Sequence, residues 1–195
     1  MAVNKKPGPA LGTTYDSADV TKLKLINATI KLLRKGRPVS QLTALDITKC
    51  AKVDKMYVRR FFGDRDRLFL ETILHIATSR PSLIGAALFN SGQSGSVDPD
   101  VVLAFTLFTH LARNPEFEPQ LLGLAEAVLN SYQHQIEKEF GLSGELATRQ
   151  AVLGLMALIG FLTTGHLLPV DQRDIAKWLE SRRDVLRILA QQHRQ

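Results

Sequence analysis

Residues 42–68 read LTALDITKCAKVDKMYVRRFFGDRDRL, and the order of caps and apolar side chains in this stretch decides the fold. Thr43 has the hydroxyl an N-cap needs, which predicts a short helix from Ala44 to about Ala51 with Leu45 and Ile47 as its apolar positions. Val53-Asp54 interrupts that helix. Asp54 caps a second one from Lys55 to Phe62, and Gly63 ends it. Asp64 caps a third, in which Leu68, Phe69, Thr72, Ile73 and Ile76 form an apolar stripe that runs to about Ser79 and stops before Pro81.

Two short helices joined by a tight turn make a helix-turn-helix, whose second helix can enter a DNA major groove. Such a helix needs one face for the core and one that presents donors and cations. At about 100° per residue, Val58, Phe61 and Phe62 share an arc that should be buried. Met56 and Arg60 point the opposite way, Tyr57 and Arg59 flank them, and Lys55 stands at the N-terminal edge. An arginine can bond two acceptors on guanine or clamp a phosphate, a lysine is a point charge for phosphate, and a tyrosine can donate its hydroxyl or lay its ring on a thymine methyl. The helix starts at Thr43 and at Asp64-Arg65 add partial positive charge suited to phosphate, the second reinforced by Arg65.

Outward from this stretch, the chain has 195 residues, enough to bury a sizeable core, and a net charge of +6. The charge is uneven. Residues 1–79 hold 15 Lys and Arg against 7 Asp and Glu, whereas residues 80–195 hold 10 against 12. A basic first segment on a mildly acidic remainder suits a polyanion-binding module attached to something else. The single cysteine, Cys50, excludes an internal disulfide framework and a multi-thiolate zinc site, and reads as a small buried residue of its helix. The N-terminus lacks the apolar run of a secretory signal, so a cytoplasmic location is expected.

Residues 1–16, with Pro7, Gly8, Pro9 and Gly12, read as a mobile arm; its Lys5 and Lys6 fit a groove-tracking arm or an idle tail. Asp16, Ser17 and Asp19 then open a helix with Val20, Leu23, Ile26, Ile30 and Leu33 at helical spacing, closed by Gly36 and Pro38. Beyond residue 79, residues 83–88 are apolar and 91–96 form a Gly/Ser loop. Helices follow at Pro99 to Leu111, Leu121 to Phe140, Ser143 to Thr164 and Asp171 to about Gln192. The last of these carries Ile175, Trp178, Leu179, Val185, Leu186 and Leu189 on one side. No stretch alternates with period two. The class is all-α, with about nine helices.

The stretch resembles the DNA-binding domain of the tetracycline-repressor (TetR) family of transcription regulators. The resemblance lies in Thr43, Asp46-Ile47, Ala51, Val53, Lys55, Phe62 and Leu68, in that order without a gap, and covers residues 18–75. The chain departs from the family in having Lys52 where the turn often has Gly, Met56 where Gly is common and Arg59 where Tyr is common. The resemblance implies DNA contacts from Thr43, Lys55, Met56, Tyr57, Arg59, Arg60 and Arg65. It also implies a homodimer on a palindromic operator of double-stranded DNA, released by a small-molecule effector, with repression favoured over activation.

The corresponding organisation is an arm (1–16), a helix-turn-helix domain (17–63), a connecting helix (64–79) and an effector-binding and dimerisation domain (80–195). Phe105, Phe108, His110, Tyr132, Met156, Phe161 and His166 are the candidate ligand-lining residues, since small-molecule pockets are mostly apolar with few polar groups. Residues 151–170 contain no Asp, Glu, Lys or Arg, but Gly154, Gly160, Gly165 and Pro169 favour a helix–helix interface over a membrane span. The chain lacks G-x-S-x-G, H-E-x-x-H, Walker and dinucleotide motifs, and its five histidines show no ligand spacing. No catalysis, cofactor or metal is expected. The competing reading is a small-molecule-binding or enzymatic helical protein whose basic segment is incidental.

Overall fold

The computed structural model describes residues 17–79, 98–164 and 172–193, and all regular structure among them is helical. The elements are α1 (Ala18–Arg34), a 3-10 turn (Val39–Gln41), α2 (Ala44–Ala51), α3 (Met56–Phe62), α4 (Arg65–Ser79), α5 (Pro99–Leu111), a second 3-10 turn (Pro115–Phe117), α6 (Glu118–Phe140), α7 (Gly144–Thr164) and α8 (Gln172–His193). Among the described residues there are eight α-helices, against about nine expected, and each lies where the sequence reading placed a helix. The arm at 1–16, the apolar run at 83–88, and the loop at 91–96 lie outside the described residues.

Local chemistry sets the helix ends. Ser17 caps α1 by accepting from Val20 N at 3.3 Å, and Asp98 caps α5 by accepting from Asp100 N at 2.8 Å. Pro119 sits in the first turn of α6, where its missing N–H would have had no partner in any case.

Two apolar cores organise the helices. The first joins Leu25, Leu42, Ile47, Val58, Phe62, Leu68, Phe69 and Ile73 of the N-terminal helices to Leu103, Leu107 and Leu111 of α5, Phe117, and Leu121 of α6. The second joins Val101, Tyr132, Ile136, Phe140, Leu142, Ala151 and Leu158 to Leu186 and Ala190 of α8. Each fully buried Leu, Ile or Phe side chain contributes about 1.5–3 kcal/mol of transfer free energy. α4 serves the first core along its length, so the helix directly after α3 is clamped between α1 and α5.

Several apolar positions differ from the sequence reading. In α1 the side chains at Val20 and Leu23 are exposed, and the buried face is Thr21, Leu25, Ile26, Ala28 and Thr29. Thr29 enters the core because its hydroxyl donates to the Leu25 carbonyl at 2.9 Å, which leaves its methyl to pack. Leu45 of α2 and Val185 of α8 are likewise exposed, while Ile47 and Leu186 are buried. Among the described residues, no helix is long and apolar enough to cross a membrane.

Candidate nucleic-acid interface and ligand cavity

α2 begins with a capping box. Asp46 N donates to Thr43 Oγ1 at 3.2 Å, while Thr43 N and Thr43 Oγ1 donate to Asp46 Oδ2 at 3.1 and 2.6 Å. The donated Thr43 hydroxyl, then the Thr43 backbone N–H, hold the Asp46 carboxyl below its ordinary value, and Arg37 at 3.7 Å adds to the effect. The Thr43 hydroxyl is thus engaged at the start of α2.

The turn after α2 depends on Lys52, which adopts the left-handed conformation at φ 56° and ψ 43°. A side chain with a Cβ pays roughly 1–2 kcal/mol for that conformation. In exchange, Lys52 N reaches the Lys49 carbonyl at 3.3 Å and Val53 N reaches the Thr48 carbonyl at 3.1 Å, closing α2. Asp54 Oδ1 accepts from Met56 N at 2.8 Å and starts α3. Gly63, at φ 87°, stops α3 with a bond from its N–H to the Arg59 carbonyl at 3.0 Å. Asp64 Oδ1 then accepts from Arg67 N at 2.8 Å and starts α4.

α3 has the two faces its sequence calls for. Val58, 2% exposed, and Phe62 lie in the first core. Met56 is 67% exposed, and Lys55, Arg59 and Arg60 are also exposed. Phe61 departs from expectation. It is only half-buried, because its ring stacks on the Tyr57 ring one turn back, with centroids 5.3 Å apart and planes 3° from parallel. The Arg60 guanidinium carbon lies 5.8 Å from the Phe61 ring centre. The outer side of α3 is therefore a cationic surface with an aromatic pair along one flank.

Arg65 is turned back onto the helices beside it. Its Nη1 donates to the Leu42 carbonyl at 3.2 Å, its Nε to Asp66 Oδ1 at 2.9 Å, and its guanidinium lies over the Phe69 ring at 5.2 Å. It ties the start of α4 to the chain just before α2.

A cleft opens where the two cores meet. Ile73 of α4, Val101, Ala104, Phe105 and Phe108 of α5, Leu124, Ala125 and Val128 of α6, and Leu155 and Ile159 of α7 line it. It is a narrow cleft, open to solvent on one side, with about 40 Å³ of enclosed room. Of the candidate ligand-lining residues, Phe105 and Phe108 stand in this wall. Three others stand elsewhere. His110 lies against α4, with Nε2 3.7 Å from Asp66 Oδ1 and its ring edge-on to Phe69. Tyr132 is buried in the second core, where its hydroxyl accepts from Arg182 Nε at 3.3 Å. Met156 is 66% exposed on α7. The Phe161 side chain and His166 lie outside the described residues. The wall residues that sequence reasoning missed are Val, Leu, Ile and Ala. Their signal was the three- and four-residue spacing of Val101, Ala104, Phe105 and Phe108, which ordinary core helices share.

Among the described residues, no group of three or more His, Cys, Asp or Glu is placed to hold a metal ion. Cys50 is a half-buried free thiol on α2.

No protein-family model matches the chain, and no curated protein matches it. Among solved structures, the chain is similar to the TetR family repressor AlkX from Dietzia sp., a protein implicated in biodegradation of n-alkanes. The two share 17% identity over 90% of this chain and 97% of that one, with a TM-score of 0.45.

Proposed function

We propose that this chain is a ligand-responsive transcription regulator that binds double-stranded DNA through α3. The observation that carries the reading is the outer face of α3. Met56, Arg59 and Arg60 are presented to solvent on a short helix that Val58 and Phe62 hold from behind. That surface has the chemistry to lie in a major groove, with guanidinium groups for guanine edges or phosphates and a methionine for a thymine methyl. Lys55 and Tyr57 flank it as backbone contacts, and Thr43 stands at the exposed N-terminus of α2.

The reading extends to a homodimer whose two helix-turn-helix units, residues 17–63, each take one half of a palindromic operator. α7 leaves Val152, Leu153 and Met156 exposed, and α8 leaves Val185 and Ile188 exposed. Each set lies at helical spacing on one side of its helix, as a subunit contact requires. The effector enters the cleft between α4 and α7 and favours a dimer whose reading heads stand at the wrong separation for DNA, so that binding relieves repression.

The test is a gel shift of the purified chain on the DNA upstream of its own coding sequence, run at several salt concentrations. Specific retardation that weakens linearly in log salt supports the reading. Equal binding to unrelated DNA of the same length refutes operator recognition. For the dimer, Met156→Glu is expected to shift the sedimentation coefficient from dimer to monomer.

A further inference from the structure

We infer that the cleft between α4, α5, α6 and α7 takes an uncharged, hydrogen-bond-poor molecule, or the hydrocarbon part of one whose polar group stays at the mouth. The inference rests on the reading of that cleft as the effector site and adds the chemical class of the effector. Among the described residues, its wall carries no charged side chain and none that can donate or accept a hydrogen bond. Two polar side chains of the same helices face elsewhere. His110 of α5 faces Asp66 and Phe69, and Tyr132 of α6 faces Arg182. The room comes from two small residues, Ala104 and Ala125, set among Phe105, Phe108 and Val128.

Such a wall selects by exclusion. A hydroxyl, amide or carboxylate carried into it gives up its bonds to water and gains none, whereas a methylene gains contact on every side. Discrimination against a buried hydroxyl is therefore strong even though no residue reads the ligand specifically.

The experiment titrates 1-octanol and 1,8-octanediol into the full chain by calorimetry. The two have equal chain length, and only the diol must bury a hydroxyl. Saturable binding of 1-octanol is expected, with the diol at least about tenfold weaker. Ala125→Phe fills the cleft and is expected to weaken 1-octanol at least about tenfold, with the fold checked by thermal unfolding. Val128→Thr keeps the shape of the wall but adds a hydroxyl, and it is expected to narrow the gap between the two alcohols. Equal affinity for both alcohols, or 1-octanol binding untouched by both substitutions, overturns the inference. Gel shifts on the same samples separate the two readings. Alcohol binding as stated with no DNA binding refutes the regulator and leaves the apolar cleft standing; DNA binding with equal alcohol affinities does the reverse.

Discussion

Arg34 Nε, at the end of α1, donates to Asp100 Oδ1, in the first turn of α5, at 3.0 Å, and Arg34 Nη2 donates to the same oxygen. Asp100 is 6% exposed, whereas half of the Arg34 side chain meets solvent. The pair joins the helix that carries the helix-turn-helix to the helix that forms one wall of the cleft. Both ends also suit the helix dipoles, with a cation at a C-terminus and an anion at an N-terminus.

Removing Arg34 leaves the Asp100 carboxylate buried without this cation. A hydrogen bond to a charged group contributes about 1.5–3 kcal/mol, and the exposed side of Arg34 screens part of that. Arg34→Ala is therefore expected to cost about 1–2 kcal/mol, read as a lower urea midpoint at unchanged slope. An unchanged midpoint would show that this ion pair adds nothing to the packing of α1 against α5.

On α3, Arg59→Ala and Arg60→Ala are expected to act differently from each other if one side chain reads a base and the other a phosphate. Loss of a base contact costs about 1–3 kcal/mol and relaxes preference at one operator position. Loss of a phosphate contact weakens all sequences alike and lowers the salt slope by about one. The measurement is affinity against salt on the operator and on single-base variants. Wild-type affinity in both substitutions would remove the outer face of α3 from the interface.

Much of this region was legible because its determinants are local. Thr43, Asp54, Gly63 and Asp64 act within one turn of where they stand, so caps and breaks could be read residue by residue. Lys52 is placed in the turn by the family resemblance alone, since a lysine gives no hint of a left-handed backbone. Arg65 could not be oriented. Its direction depends on the Leu42 carbonyl, 23 residues earlier, and on the Phe69 ring, and no spacing rule reports either. Phe61 fell between the two cases, since a wheel projection places it inward while a stack on Tyr57 keeps it at the edge. The cleft was the least legible feature. It is made of the same Val, Ile, Leu and Ala that fill a core, and it exists only because four helices leave a gap between two cores.

Asp46 ties stability to pH. Its folded pKa is held below the ordinary carboxylate value, first by the Thr43 hydroxyl and then by the Thr43 backbone N–H. A depressed folded pKa gives stability that is fully present above the unfolded pKa and lost as pH falls through the folded one. Asp46→Asn is expected to lower Tm at neutral pH, with the gap to the wild-type chain closing below about pH 4. A gap that stays constant across a pH series would mean that the charge of the capping box contributes nothing.

Gly154, in the middle of α7, tests packing in the second core against helix propensity. A Cβ there would stand 2.5 Å from Tyr132 Oη and 2.8 Å from Arg182 Nε. Tyr132 cannot retreat, because it is 1% exposed, and Arg182 is held by the Gln150 carbonyl. Alanine would gain about 1 kcal/mol of helix propensity, but overpacking costs about 1–3 kcal/mol. Gly154→Ala is thus expected to lower stability or leave it unchanged, never to raise it. Gly123, exposed on α6 with no atom within 4 Å of the added Cβ, gives the opposite case. Gly123→Ala is expected to stabilise by roughly 0.5–1 kcal/mol. Urea unfolding of the two variants decides the matter: equal stabilisation by both would mean that the Tyr132–Arg182 contact gives way freely and that α7 does not need its glycine.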